Sequence, residues 1–225
     1  MLNIIHENKD IIIVNKPAGQ LSQGAKGFDL DLVSEVMTYN ASQGKPAYAA
    51  IINRLDRPVS GLVLIAKNKS AAAKYSTLMQ KEGGFNKQYE ALICGKLSEP
   101  KGTFVDYLKK DGRTNTSAIV PADAAANDKE AKLSKLEYDV ISYDEVKDIT
   151  HVRIHLITGR HHQIRVQFAS RRHPLVGDYK YATADCGMDN AVKAVALKRN
   201  HIALCAVSLT IENETFRVTP EFSIG

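Results

Sequence analysis

A chain of 225 residues with 44% hydrophobic content can bury a sizeable core, as one large domain or as two small ones. No apolar run approaches the roughly 18 residues that span a bilayer. The opening MLNIIHENKD also lacks the charged-then-apolar layout of a secretory signal, so a cytoplasmic protein with no membrane partner is expected. Cys94, Cys186 and Cys205 are widely spaced with no CxxC pair, which argues against a disulfide framework and against a zinc knuckle. The net charge of +5 is unevenly spread. From Pro121 to Asp148 there are eight acids against four lysines, whereas Ile149 to Lys180 holds six Arg or Lys, five of the seven histidines and the single acid Asp178. A local cationic segment suits a polyanion gripped at one place, and it equally suits a solvated basic face.

In chain order, Ile4 to Ile5 and Ile11 to Val14 flank the polar ENKD, a hairpin signal, and Lys16, Pro17 and Gly19 then turn the chain. Asp29 to Asn40 carries Leu32, Val33 and Val36 at helical spacing, and Gly44 with Pro46 ends that helix. Tyr48 to Asn53 and Gly61 to Ala66 read as buried strands around a charged loop, Arg54 to Ser60. Ser70 can cap a helix over Ala71 to Lys81, with Gly83 and Gly84 stopping it, and FNKQYEALICG then alternates as a strand. Glu99 to Asn127 predicts a short hairpin with an irregular, mobile connection.

LSKLEYDVISY and THVRIHLIT are two further strands. In the second, His151, Arg153 and His155 alternate with Val152, Ile154 and Leu156, so one face is basic. RHHQIRVQFASRR predicts a helix with Ile164 and Phe168 as an i,i+4 apolar pair, Arg165 and Arg172 on a shared face, and HPLVGD as its terminator. ALCAVSLT and ETFRVTP, joined by IENE, form a last hairpin. Strands outnumber helices and are often adjacent in sequence. The expected class is therefore α+β, a mixed, mostly antiparallel central sheet flanked by helices, in a single domain over 1–225.

Chemistry points first to Asp56, which lies between Arg54 and Arg57 in a loop flanked by apolar strands. Nearby cations favour an ionised carboxylate, fit to act as nucleophile or acceptor; a surface ion pair accounts for the same residues. HExxH, GxGxxG, P-loop and nucleophile-elbow patterns are all missing, so no metal and no cofactor is expected.

Three stretches, RLDRPVSGLVLIAKN, KQYEALICG and GRHHQIRVQFASRRHPLVGD, in this order and preceded by NKPAG, resemble the motifs of the RluA-type pseudouridine synthases. The resemblance runs from about Ile11 to Asp178. It implies the pseudouridine synthase fold, with an active-site cleft across the sheet and without the family's frequent N-terminal RNA-binding domain. It also implies isomerisation of a uridine in structured RNA, tRNA or rRNA: the base is cut from the ribose at nitrogen, rotated and rejoined through carbon. No redox carrier or metal is needed for that. By motif position Asp56 would be catalytic, Tyr89 would stack on the uracil, and Arg165 would pair with Asp56. Arg54 would fill the gap left by the flipped base. Arg57, Arg160, His162, Arg171 and Arg172 are further candidate RNA contacts, and no obligate protein partner is visible. The chain departs from the usual pattern at Asn53 and Gln167, where the family commonly has His, at His161, where Thr is common, and in QLSQG after NKPAG. Those departures keep open a second reading, an inactive RNA-binding or ribosome-assembly factor with the same fold. An N-glycosidic hydrolase is a third.

Overall fold

The computed structural model describes residues 2–24, 30–81, 83–182 and 200–224. Asp29 and Cys186 lie outside these described residues. The chain forms two compact units, Met1–Lys87 with Cys205–Pro220, and Gln88–Leu204 with Glu221–Gly225.

In the first unit, β1 (Ile4–Glu7) and β2 (Ile11–Lys16) form the expected antiparallel hairpin. The Asn8 side chain closes its turn by accepting from the N–H groups of Asp10 and Ile11 at 2.8 and 2.9 Å. β2 pairs along one edge of β4 (Ser60–Ala66), which is buried along its whole length, as its unbroken apolar run requires. The other edge of β4 is shared. Ile65 and Ala66 pair with the two-residue β3 (Ala50–Ile51), while Ser60 and Gly61 run parallel to Cys205 and Ala206 of β10 (Leu204–Ile211). β11 (Glu214–Arg217) returns against β10 through the expected IENE hairpin.

Helix α1 (Leu32–Ser42) starts later than its apolar spacing predicts because Asp31 caps it, accepting from the Ser34 N–H at 2.8 Å. Helix α2 (Lys69–Gln80) is capped by Asn68 rather than Ser70, the Asn68 oxygen taking the Ala71 N–H. Ala71 and Tyr75 of α2 pack with Ile11, Ile13, Leu62, Leu64 and Leu209 in the core of this unit. The predicted strand over Tyr48 to Asn53 shrinks to β3, and Asn53 does what a longer strand would have done. Its side chain donates to Leu62 O (3.1 Å) and accepts from Leu64 N (2.7 Å), completing the backbone bonding of β4. Asn53→Leu leaves both groups buried and unmet, and should lower unfolding free energy by about 2–4 kcal/mol in urea denaturation. A loss under 1 kcal/mol would refute that role.

The second unit carries an antiparallel sheet in the order β5-β9-β8-β6-β7, formed by β5 (Phe85–Cys94), which begins in the first unit, with β9 (Ile149–Leu156), β8 (Lys132–Asp144), β6 (Lys101–Asp111) and β7 (Thr116–Val120). β9 obeys its alternation. Val152, Ile154 and Leu156 are buried, while His151 and Arg153 turn outward to Glu90 and His155 to Glu137. The short hairpin expected over Glu99 to Asn127 is present, formed by Lys101–Asp111 and Thr116–Val120, but its connection is a defined turn in which the Asp111 carboxylate gathers the Arg113 and Thr114 N–H groups, and the short α3 (Ala122–Ala125) follows.

The basic helix is also shorter than predicted: α4 spans Gln163–Ala169. His162 before it and Arg172 beyond it sit at φ 53° and 66°, left-handed conformations that a helix cannot include, so Arg172 does not share a helical face with Arg165. Every residue of α4 is buried, with Ile164 and Phe168 both in the core and Phe168 edge-on to Phe104 at 5.0 Å. Among the described residues no helix is long and apolar enough to cross a membrane.

Candidate functional site

The charged loop of the first motif is stitched to the segment after β2. Gly19 N donates to Arg57 O (2.7 Å), and Arg57 Nε returns a bond to Gly19 O (2.9 Å). The Ser22 hydroxyl donates to Leu55 O (2.7 Å) and accepts from Leu55 N (3.2 Å). Beneath them Lys16 is wholly buried, its Nζ donating to Pro17 O, Gln20 O and Arg57 O at 2.8, 2.9 and 3.4 Å. Burial pushes the Lys16 ammonium down to about 8, and the negative charge of Asp56 opposes that fall. The turn is closed by Val59 N on Asp56 O at 3.0 Å. The apolar residues Leu55 and Val59 point inward, while Arg54 and Arg57 are exposed and Asp56 is half-buried. These bonds fix the backbone on both sides of Asp56.

Neither Lys16 nor Ser22 stood out in the sequence. Lys16 read as part of a turn, and Ser22 as one polar residue in QLSQG.

In the second unit Tyr89 is buried on β5 opposite Ile154. Arg165 is buried on α4 and makes a two-bond ion pair with Asp178, Nε to Oδ2 at 2.7 Å and Nη2 to Oδ1 at 2.8 Å. The turn before α4 is organised by Gln163, whose oxygen accepts from Arg160 N and the Thr158 hydroxyl and whose amide donates to Lys135 O. Gln167 donates to Asp106 Oδ2 at 2.7 Å. Arg171 also pairs with Asp106 (3.0 Å) and stacks 4.1 Å over Phe104, so its guanidinium ties the end of α4 to β6. Arg160 and Arg172 are exposed.

His162 immediately precedes α4. Its ring is buried, and burial, with the positive charges of Arg165, His161, Lys180 and Lys110 adding to it, pushes the imidazole down to about 3. The ring is hydrogen-bonded to the Tyr181 hydroxyl at 2.7 Å. Between pH 6.5 and about 3 the unfolded chain carries a proton that folded His162 refuses, so this group contributes stability that is lost as pH falls through that window. The slope should approach about 1.4 kcal/mol per pH unit. His162→Gln, whose oxygen can still accept from Tyr181, should flatten the melting-temperature profile between pH 6.5 and 5. Glu7, held down to about 2 by hydrogen bonds from Lys67, Lys45 and Tyr39, acts at lower pH, below its ordinary value of 4.5. An unchanged profile in the variant would contradict the assignment.

Among the described residues no three His, Cys, Asp or Glu side chains are grouped as a metal site requires.

Comparison with known proteins places these features. The model of the family described as RNA pseudouridylate synthase matches residues 10–170. The chain is 32% identical over 181 residues to ribosomal large subunit pseudouridine synthase D of Haemophilus ducreyi, covering 80% of this chain and 52% of that protein. It is 34% identical to the protein of that name from Buchnera aphidicola, covering 80% and 55%. The chain thus spans about half the length of the curated relatives it matches. Among solved structures, human RNA pseudouridylate synthase domain containing 1 superposes with a TM-score of 0.75 at 24% identity, over 98% of this chain and 84% of that one. Human RNA pseudouridylate synthase domain containing 4 gives 0.76 at 19%, over 97% and 88%. These two likenesses establish the fold, a mixed and mostly antiparallel sheet with few helices. With 161 of its 225 residues inside the matched region (10 to 170 inclusive), the chain belongs to the RNA pseudouridylate synthase family.

Proposed function

We propose that this protein is an RNA pseudouridine synthase that isomerises uridine in structured RNA, with Asp56 as the group that acts on the flipped nucleotide. The observation that carries the reading is the stitched loop: a half-buried carboxylate between two exposed arginines, its backbone pinned by Lys16, Gly19 and Ser22. Such a loop gives a polyanion two cations to approach and a carboxylate carried on a fixed backbone. Tyr89 is proposed as the platform for the uracil, Arg165 as the cation that counters the Asp56 charge, and Arg54 as the wedge that replaces the lost stacking. Arg57, Arg160 and Arg172, all exposed, are proposed as phosphate contacts; Arg171 pairs with Asp106, and His162 is hydrogen-bonded to Tyr181. Relatives named for the ribosomal large subunit make large-subunit rRNA the first substrate to try, ahead of tRNA.

Incubation with RNA tritiated at uridine carbon 5 tests this directly, since rejoining the base through that carbon expels the label. Release from an rRNA transcript supports the reading. Absence of release from both total rRNA and total tRNA refutes it in favour of an RNA-binding factor, and free uracil would point to a hydrolase. Arg54→Ala should reduce the salt slope of RNA binding by about one and weaken product formation; an unchanged slope would remove Arg54 from the RNA surface.

A further inference from the structure

The segment after α4, GDYKY, supplies two residues that grip Arg165 from different directions. Asp178 is buried, at 1% exposure, and takes Nε and Nη2 of the guanidinium side-on. The Tyr181 ring lies 5.1 Å from the guanidinium carbon, in cation–π range. These two residues are themselves joined. Tyr181 N and Ala182 N both donate to Asp178 O, at 3.3 and 2.9 Å, and Lys180 N donates to Asp178 Oδ1 at 3.2 Å, so a tight turn fixes the carboxylate relative to the ring.

The Tyr181 hydroxyl carries the grip further. It accepts from the Ser117 N–H at 2.8 Å, a group that can only donate, and it is hydrogen-bonded to His162 Nδ1 at 2.7 Å. Ser117 Oγ in turn lies within hydrogen-bond distance of both His161 O (3.0 Å) and His161 Nδ1 (2.8 Å). Ser117 belongs to β7, so one hydroxyl joins the hairpin β6–β7, the residue before α4 and the ring under Arg165.

We infer that Asp178 and Tyr181 are positioning residues that hold the Arg165 guanidinium in one orientation, with the Tyr181 hydroxyl anchoring that hold to Ser117 of β7 and to His162. The inference rests on the pseudouridine synthase reading for its kinetic consequence. The physical reason is simple. An unrestrained arginine samples many rotamers, and a cation that must counter one carboxylate is effective only where it is held. Side-on pairing with Asp178 sets the guanidinium plane and turns its Nη1 edge away from Asp178, and the Tyr181 ring fixes which face is covered.

The test combines turnover with nuclear magnetic resonance on the intact chain. Asp178→Asn presents an amide N–H to one of the guanidinium donors, and should lower kcat by about 100-fold while KM for the RNA stays within about threefold. Tyr181→Leu, which removes the ring, should lower kcat by about tenfold, and Tyr181→Phe, which removes only the hydroxyl, by roughly threefold to tenfold. In protein labelled with 15N at arginine, the Arg165 Nε–H should exchange slowly in the wild type and at least about tenfold faster in Asp178→Asn and Tyr181→Leu. If Asp178→Asn does not fold, the two Tyr181 variants decide. Wild-type kcat in both of them, or a fall in melting temperature with kcat unchanged, overturns the inference and leaves a purely structural pair. A wild-type protein that releases no tritium counts against the proposed function; the exchange of the Arg165 Nε–H then decides on the grip by itself, fast exchange in the wild type overturning it.

Discussion

Asp56→Asn should lower pseudouridine formation by at least about 10³-fold while the Kd for the same RNA changes by less than about threefold. The substitution keeps the shape of the side chain and does not touch the backbone bonds that build its loop, which involve Leu55, Asp56 O and Arg57 O. The amide lacks the negative charge and the nucleophilic oxygen on which the proposed chemistry depends. Binding should be spared, because one carboxylate facing a polyanion repels it and its removal can only help slightly. A second consequence is independent of RNA. Asp56 raises the affinity of Lys16 for its proton against the effect of burial, so neutralising Asp56 should lower the Lys16 ammonium further, below about 8. Its titration by resonance on labelled lysine would register this. Comparable product from wild type and variant would remove Asp56 from the chemistry, and an unmoved Lys16 would show that the two charges are not coupled.

The features legible in the sequence were those with a strict period or a long motif. β9 was evident because Val152, Ile154 and Leu156 alternate with His151, Arg153 and His155, and the core simply takes every second residue. The site loop was evident because a charged segment between buried strands has nowhere to go but the end of the sheet. What escaped notice depends on partners distant in sequence. Asn53 differs from the family's common His, and nothing local reveals that its amide bonds to β4 from nine and eleven residues away. The ends of α4 were misjudged because His162 and Arg172 adopt left-handed backbone, a conformation for which side chains other than glycine give little warning. The hairpin of β6 and β7 was legible, whereas the order of its turn, tied by the Asp111 carboxylate, was not. One long-range partner does leave a local signal. Asp178 is the single acid in a segment with six Arg or Lys, and a lone acid in such company invites the question of which cation it holds.

Gly61→Ala should be among the most destabilising single substitutions in the chain, at about 4 kcal/mol, lowering the melting temperature by roughly 10 °C or preventing accumulation of folded protein. Gly61 sits at φ +117°, a conformation that other residues rarely adopt, and a methyl group there would lie 2.4 Å from Ala206 O, 2.5 Å from Ala206 N and 2.8 Å from Ala206 C. These are backbone atoms of a buried strand in parallel register with Gly61, so no side-chain rotation relieves the overlap. Relief requires β4 and β10 to part or Gly61 to change its backbone angles. Either motion is felt on the opposite edge of β4, where Gly61 is in register with Lys16, the residue whose ammonium holds the carbonyl of Arg57. A variant that does fold should therefore lose activity beyond its loss of stability, because the loop carrying Asp56 hangs from the displaced strand. Gly112→Ala is the matched control: its added methyl meets nothing within 4 Å, and its melting temperature should stay within about 2 °C of the wild type. Equal melting temperatures for the two variants would mean that β4 and β10 accommodate a side chain at their crossing, and the close backbone approach would lose its claim to fix the loop.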